Sequence, residues 1–228
     1  MNRPAPIVVS SLLMILVMLL NLGLQSWQLA YGVNLTQLQL SYKKLGGQVQ
    51  VLQDWQNLLI HAKDQPVNEQ LRSVNEFFNR YLVYGEDIDV WGQADYWATP
   101  MQSLAKGKGD CVAYVISKYF ALRELNVPEK QLRLIYVKAR IGRLDSPIQQ
   151  AHMILAYYPT PDDEPLILDN LITDIRPASR RPDLQPVFSF NSEGVFVAVA
   201  GSSAVGPGGV GRLSRWADVL QRAHTEGF

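Results

Sequence analysis

From Asn34 to Ala62 the residues Leu38, Tyr42, Leu45, Val49, Leu52, Trp55 and Leu59 recur at intervals of three and four. That spacing lines one face of an amphipathic helix. Gly46-Gly47 falls inside the run and is expected to divide it in two. The commoner use of such a helix is to cover a core; docking against a membrane receptor is the other. A second helix is predicted over Val67–Tyr81, entered through Pro66. The stretch YGEDIDVWGQADYWATP, residues 84–100, is aromatic, acidic and aperiodic, and reads as a loop folded against the body. Thr99-Pro100 then has the form of an N-cap with proline at the first helical position, opening a short turn through Leu104. Asp110 is placed to cap a longer helix, Cys111 to about Leu125, with Val115, Tyr119 and Leu122 as its inward stripe.

Beyond that helix the period falls to two or to short apolar runs. LRLIYVKARI, AHMILAYYP, PLILDNLI, VFSFN and GVFVAVA are strand candidates separated by turns that carry proline and aspartate. Helices first and strands afterwards predict an α+β domain, with helices packed on an antiparallel sheet. GSSAVGPGGVG, residues 201–211, is a glycine-rich link; it lacks the Lys-Ser/Thr of a phosphate loop. A closing segment, Ser214–Ala223, follows it. No internal repeat is present. The expected organisation is a leader over residues 1–30, a folded domain over 31–200, and the link with its closing segment over 201–228.

The leader changes the picture of compartment. Arg3 is followed by an apolar stretch from Ile7 to about Leu24, broken only by Ser10, Ser11, Asn21 and Gly23. A charged start before an apolar run is the export pattern, and the length approaches the ~20 residues that cross a bilayer. A cleaved signal and an uncleaved anchor both fit, and both put the remainder outside the cytoplasm, which is the periplasm in a bacterium. Lysine plus arginine and aspartate plus glutamate both number 21, so the net charge is zero. That balance gives no reason to expect a nucleic-acid partner. The single cysteine excludes an internal disulfide.

That cysteine raises the question of chemistry. At the first turn of a helix Cys111 would meet free backbone amides and the positive end of the helix dipole, which lower a thiol pKa. Gly107 and Gly109 just before it allow close backbone approach. Free cysteine is also a common buried hydrophobe, so the sulfur needs partners before it means anything. Of three histidines, His61 lies in the early amphipathic run and His224 in the closing segment. His152 opens a strand after the polar turn DSPIQQ. Asp169 ends the next strand, and a hairpin through TPDDE brings the two roughly level. Cys111, His152 and Asp169 thus offer a nucleophile, a base and an orienting acceptor. The bland readings are a hydrogen-bonded edge histidine and a turn-forming aspartate. Trp91, Tyr96 and Trp97 either wall a cleft or pack their own loop.

With these residues in place a resemblance emerges. YWATP, then GKGDC followed by Tyr114 and Ser117-Lys118-Tyr119, LRLIYVKA, AHMIL and LILDNL resemble the bacterial transglutaminase-like cysteine proteinases of the LapG type, from about Leu71 to Asn191. The resemblance implies a papain/transglutaminase-like fold with a catalytic triad on Cys111, His152 and Asp169. It also implies a periplasmic endopeptidase that clips a large surface adhesin in biofilm dispersal, held back by an inner-membrane cyclic-dinucleotide receptor. One departure bears on calcium, which the family binds through acidic residues beside the cysteine. Here Val112 and Ala113 follow Cys111, so two carboxylates are missing for a cation that takes six to eight oxygens. Asp110 is therefore read as a helix cap, and no cofactor is expected. Acyl transfer or amidase chemistry on the same fold, and a non-catalytic binding module, are the alternatives; the intact trio argues against the last.

Overall fold

The computed structural model describes residues 32–143, 145–197 and 209–228. The expected leader and most of the glycine-rich link lie outside them. The early amphipathic run forms two helices, α1 (Leu35–Lys44) and α2 (Val49–Ala62). The break falls at the glycine pair for two separate reasons. Gly46 has φ +75, and a Cβ on Gly47 would lie 2.2 Å from the Tyr42 ring. Helix α3 (Val67–Tyr81) starts directly after Pro66. The faces of these helices that carry Leu38, Trp55, Leu71 and Phe78 are buried in one core.

The aperiodic acidic stretch is more than a loop. It begins in β1 (Val83–Tyr84), which pairs in parallel with β2 (Lys108–Gly109). Between them come α4 (Asp87–Trp91) and α5 (Pro100–Lys106). Helix α4 is a single turn closed by Gly92 at φ +71, too short to leave a periodic signature. At α5 the cap is reciprocal: Gln102 N donates to the Thr99 hydroxyl at 3.2 Å, and Thr99 N donates to the Gln102 side chain at 3.0 Å.

Helix α6 (Cys111–Glu124) is the centre of the molecule. A single inward stripe was the expectation, yet every residue from Val112 to Leu122 is buried. The reason is position: α3 and α5 pack on it from one side and the sheet from the other, so no face meets water. The sheet comprises β3 (Leu132–Arg140), β4 (Gln149–Tyr157), β5 (Leu166–Leu168), β6 (Arg176–Pro177), β7 (Leu184–Asn191) and β8 (Gly194–Val197). Its order is β6-β5-β4-β3-β7-β8 and all its pairings are antiparallel. Leu134, Met153, Leu155 and Leu168 join the helical core, while Ile135, Val137, Ile154 and Ile167 form a smaller apolar cluster, as strand alternation requires.

The closing segment belongs to the same body. Helix α7 (Gly209–Glu226) sends Trp216, Val219 and Ala223 into the helical core. Trp216 stands edge-on to Tyr119 at 5.1 Å. Phe228 packs edge-on against Trp55 and Phe120. The amide of Asn34 donates to Gly227 O at 2.8 Å, so the two ends of the folded body meet. Among the described residues no helix is long and apolar enough to cross a membrane.

One residue of α6 runs against its setting. Lys118 is 0% exposed, its Nζ has no hydrogen-bond partner, and it lies 5.7 Å from the Tyr114 ring centroid. Burial pulls its pKa down from the ordinary 10.5 to about 7, with the Asp169 charge opposing. Between those values the unfolded chain binds a proton that the folded chain lacks, so stability rises with pH across that window. The burden of the buried cation is greatest below pH 7 and vanishes above 10.5. Lys118→Met should therefore raise the thermal midpoint by several degrees at pH 6.5, with the gain shrinking toward pH 10. A gain independent of pH, or a loss, would show that the amine is held by interactions that outweigh its burial.

Candidate active site

Three local features bring Cys111 to its place. Gly107, at φ +64, ends α5, and β2 then ties the chain to β1. A Cβ on Gly109 would come within 2.4 Å of the Ala113 side chain, so glycine is required where the strand turns sharply into α6. Asp110 caps the helix, its Oδ1 accepting from Ala113 N at 3.0 Å. Cys111 is the first helical residue and is half-buried. It lines a cleft of about 240 Å³ together with His152, Ala151, Tyr136, Asp110 and Asp87.

His152 comes from β4, where it pairs with Val137 of β3. The β4–β5 register sets Leu155 opposite Leu168; carried one residue past β5, it sets Asp169 opposite Ile154, two positions from His152. The sequence placed them level, and the structure sets them diagonally. The contact still forms: His152 Nε2 lies 2.7 Å from Asp169 Oδ1, with both side chains almost wholly buried. The same oxygen accepts from Leu171 N at 3.1 Å, and Asp169 Oδ2 accepts from Arg181 Nη2 at 2.7 Å. Asn79 of α3 donates to the Asp169 carbonyl at 2.7 Å. Burial alone would raise the Asp169 pKa. The bond to His152, the His152 charge, Arg181 and the Leu171 amide together hold it down at about 2. Asp169 is therefore an anion at every physiological pH.

At the other end of the cleft the electrostatics run the opposite way. The helix start was expected to lower the thiol pKa; instead Cys111 is pushed up to about 12, first by burial and then by the Asp110 carboxylate. The amides of Met153 and Val112 act on the sulfur in the favourable direction without reversing the balance. Asp110 is itself pushed up to about 7 by burial and by Asp87. Asp87 is pushed up to about 6 by burial, against its bond from Tyr96 N. The resting cysteine is a thiol.

Glu86 and Asp95 of the acidic stretch line the same cleft. These carboxylates already accept hydrogen bonds within the protein. Tyr84 donates to Glu86, Tyr96 N to Asp87, Ala113 N to Asp110, and Trp97 and Arg215 to Asp95. Asp87 Oδ1 is buried without a partner, but one such oxygen is far from the six to eight that calcium takes. Among the described residues no three of His, Cys, Asp and Glu converge as a cation cage.

The chain matches the model of the bacterial transglutaminase-like cysteine proteinases, BTLCP, over residues 53–183. It belongs to that family. The solved structure of Legionella pneumophila LapG is 37% identical, with a TM-score of 0.65 over 82% of this chain and 97% of that one. Calcium-bound and EGTA-treated forms of that LapG give 38% identity and TM-scores of 0.66 and 0.67. They cover 81% and 82% of this chain, and 98% and 97% of theirs. No curated protein matches. The proteinase is thus a transglutaminase-like cysteine peptidase with the α+β fold that its sequence predicted.

Of the remaining sequence candidates, His61 donates from Nδ1 to the Asn57 carbonyl on the exposed face of α2 and His224 is exposed near the end of α7; neither lines the Cys111 cleft. Trp91, Tyr96 and Trp97 are packing residues. Trp91 and Tyr96 are 4.8 Å apart, and Trp97 is buried beside Phe190. Arg181 and Asn79 reach the site through contacts remote in sequence, and no local signal marks them.

Asp110→Asn keeps a competent helix cap and removes the charge beside the sulfur. Alkylation of Cys111 by iodoacetamide should be several-fold faster in the variant at pH 8, where Asp110 is ionised. The difference should close below pH 6, where Asp110 is protonated in the parent. Equal rates at pH 8 would mean that burial alone governs the thiol.

Proposed function

We propose that the proteinase is an endopeptidase in which Cys111 is the nucleophile, His152 the base and Asp169 the carboxylate that orients the base. The observation that carries this reading is the buried His152 Nε2–Asp169 Oδ1 contact of 2.7 Å, beside a cleft lined by both Cys111 and His152. With Nε2 engaged by Asp169, Nδ1 is the nitrogen left to take the thiol proton. The raised thiol pKa means that proton transfer accompanies attack rather than preceding it. Sγ bonds to the scissile carbonyl carbon, the carbon–nitrogen bond breaks, and the departing amine takes the proton from His152. Water, deprotonated by His152, then cleaves the thioester and the thiol is restored. Asp169 stays ionised and stabilises the imidazolium.

The apolar leader and the likeness to LapG support a periplasmic setting, either released or held at the inner membrane. The same likeness supports a large surface adhesin as substrate, biofilm dispersal as the role, and a cyclic-dinucleotide receptor as the restraining partner. No step in this reading runs through calcium.

Cys111→Ala should abolish both adhesin cleavage and hydrolysis of p-nitrophenyl acetate while leaving the thermal midpoint intact. His152→Ala should be nearly as severe. Asp169→Asn should be milder, retaining roughly a hundredfold more activity than either. Activity that survives in His152→Ala and is lost on changing His61 or His224 would assign the base elsewhere.

Excess EGTA should leave activity and thermal midpoint unchanged. A drop of several degrees, reversed by calcium, would show that the cleft carboxylates rearrange around a cation.

A further inference from the structure

Arg181 follows the short turn Ala178–Arg180 and stands outside the trio just described. Its side chain is 1% exposed and lies between two carboxylates. Nη2 donates to Asp169 Oδ2 and to Asp183 Oδ2, each at 2.7 Å, and Nε donates to Asp183 Oδ1 at 3.0 Å. A buried guanidinium is costly unless its partners are closely matched, and its place beside Asp169 bears directly on His152.

Asp169 Oδ1 is occupied by His152 and the Leu171 amide, and Oδ2 by Arg181. With both oxygens engaged, the carboxylate cannot turn about its Cβ–Cγ bond without breaking a charge-assisted bond. Without Arg181, Oδ2 would be a buried anionic acceptor with no donor, and either oxygen could meet the imidazole. The charges are consistent with this role. Asp169, Asp183 and Arg181 sum to minus one, and the group becomes neutral when His152 takes a proton. The other groups acting on Asp169 are Lys118 of α6, whose Nζ makes no hydrogen bond, and the Cys111 sulfur. Neither restricts the carboxylate's rotation as a hydrogen bond does.

We propose that Arg181 is a positioning residue of the proteinase: it clamps Asp169 so that Oδ1 alone faces His152, and Asp183 in turn holds the guanidinium. This inference rests on the triad reading above, and the test separates the two.

The full chain is assayed as Arg181→Met, Arg181→Lys, Asp183→Asn, Asp169→Asn and the Asp169→Asn/Arg181→Met double variant. The readout is p-nitrophenyl acetate hydrolysis against pH, with near-ultraviolet circular dichroism reporting the fold. Arg181→Met should lower kcat about ten- to a hundredfold, by analogy with partners that orient metal-bound imidazoles, with KM within about twofold. Its acid limb should move to higher pH, because removing a cation from beside the Asp169–His152 pair makes protonation of that pair easier. Arg181→Lys should recover most of the loss, and Asp183→Asn should show a smaller loss in the same direction. In the Asp169→Asn background Arg181→Met should cost nothing further.

A folded Arg181→Met with parental kcat and acid limb overturns the proposal, and so does an equal loss in the Asp169→Asn background. If Arg181→Met does not fold, Arg181→Lys and Asp183→Asn decide. A lowered kcat in Asp183→Asn, together with activity retained in Arg181→Lys, supports the clamp; a parental kcat in Asp183→Asn overturns it. Full activity in Asp169→Asn would overturn the triad itself, a result distinct from all of these.

Discussion

A helix with no face to water is the constraint from which the rest follows. Helix α6 is enclosed by α3, α5 and the sheet, and Cys111 is its first residue. A side chain at the end of a half-exposed helix moves whenever that helix rocks. Here rocking would open gaps against close-packed neighbours on every side, and interiors at such density resist that. The cap from Asp110 and the close contact of Gly109 with Ala113 extend the restraint to the backbone entering the helix. The sulfur is thereby fixed relative to β4, which carries His152.

The two ends of the site are prepared differently. At Asp169 three neighbours, His152, Arg181 and Leu171, stabilise an anion that burial opposes. At Cys111 burial and a neighbouring carboxylate oppose an anion that backbone amides favour. The charge that persists through the reaction is held permanently, and the charge that must appear and vanish is withheld until a substrate arrives. A free thiol kept protonated is also less open to oxidation, since the thiolate is the reactive form.

Elements whose signals are local were legible in the sequence. The caps at Thr99 and Asp110, the glycine break before α2 and the long strands β3 and β4 all have causes within a few residues. Cys111 and Asp169 sit at or just past the ends of readable elements, whereas His152 lies inside β4, which starts at Gln149 within the turn that the sequence placed before it. What escaped depends on distant packing. Strand β6 has two residues and exists only because β5 lies beside it. Arg181 is a turn residue until Asp169 and Asp183 close around it. The thiol pKa was misread for the same reason: the helix start is visible in GKGDC, but the burial of the sulfur is not. Asp87 of the acidic stretch is buried against the cleft, and nothing in the local sequence shows the neighbours that enclose it.

The hydrogen bond from Asn34 N to Gly227 O has a mechanical meaning. It fastens the start of α1 to the last turn of α7, so the folded body is a ring closed by helix against helix. Tension applied across residues 34 and 227 would fall first on that clasp and on the aromatic contacts of Trp216 and Phe228. The sheet strands lie inside the loop so closed, and carry load only after the clasp has parted. Arg215 of α7 pairs with Asp95 at the cleft wall, and Arg222 donates to Gln102 at 2.9 Å. Parting the clasp would therefore slacken one wall of the cleft while His152 and Asp169 remained seated in an unstretched sheet.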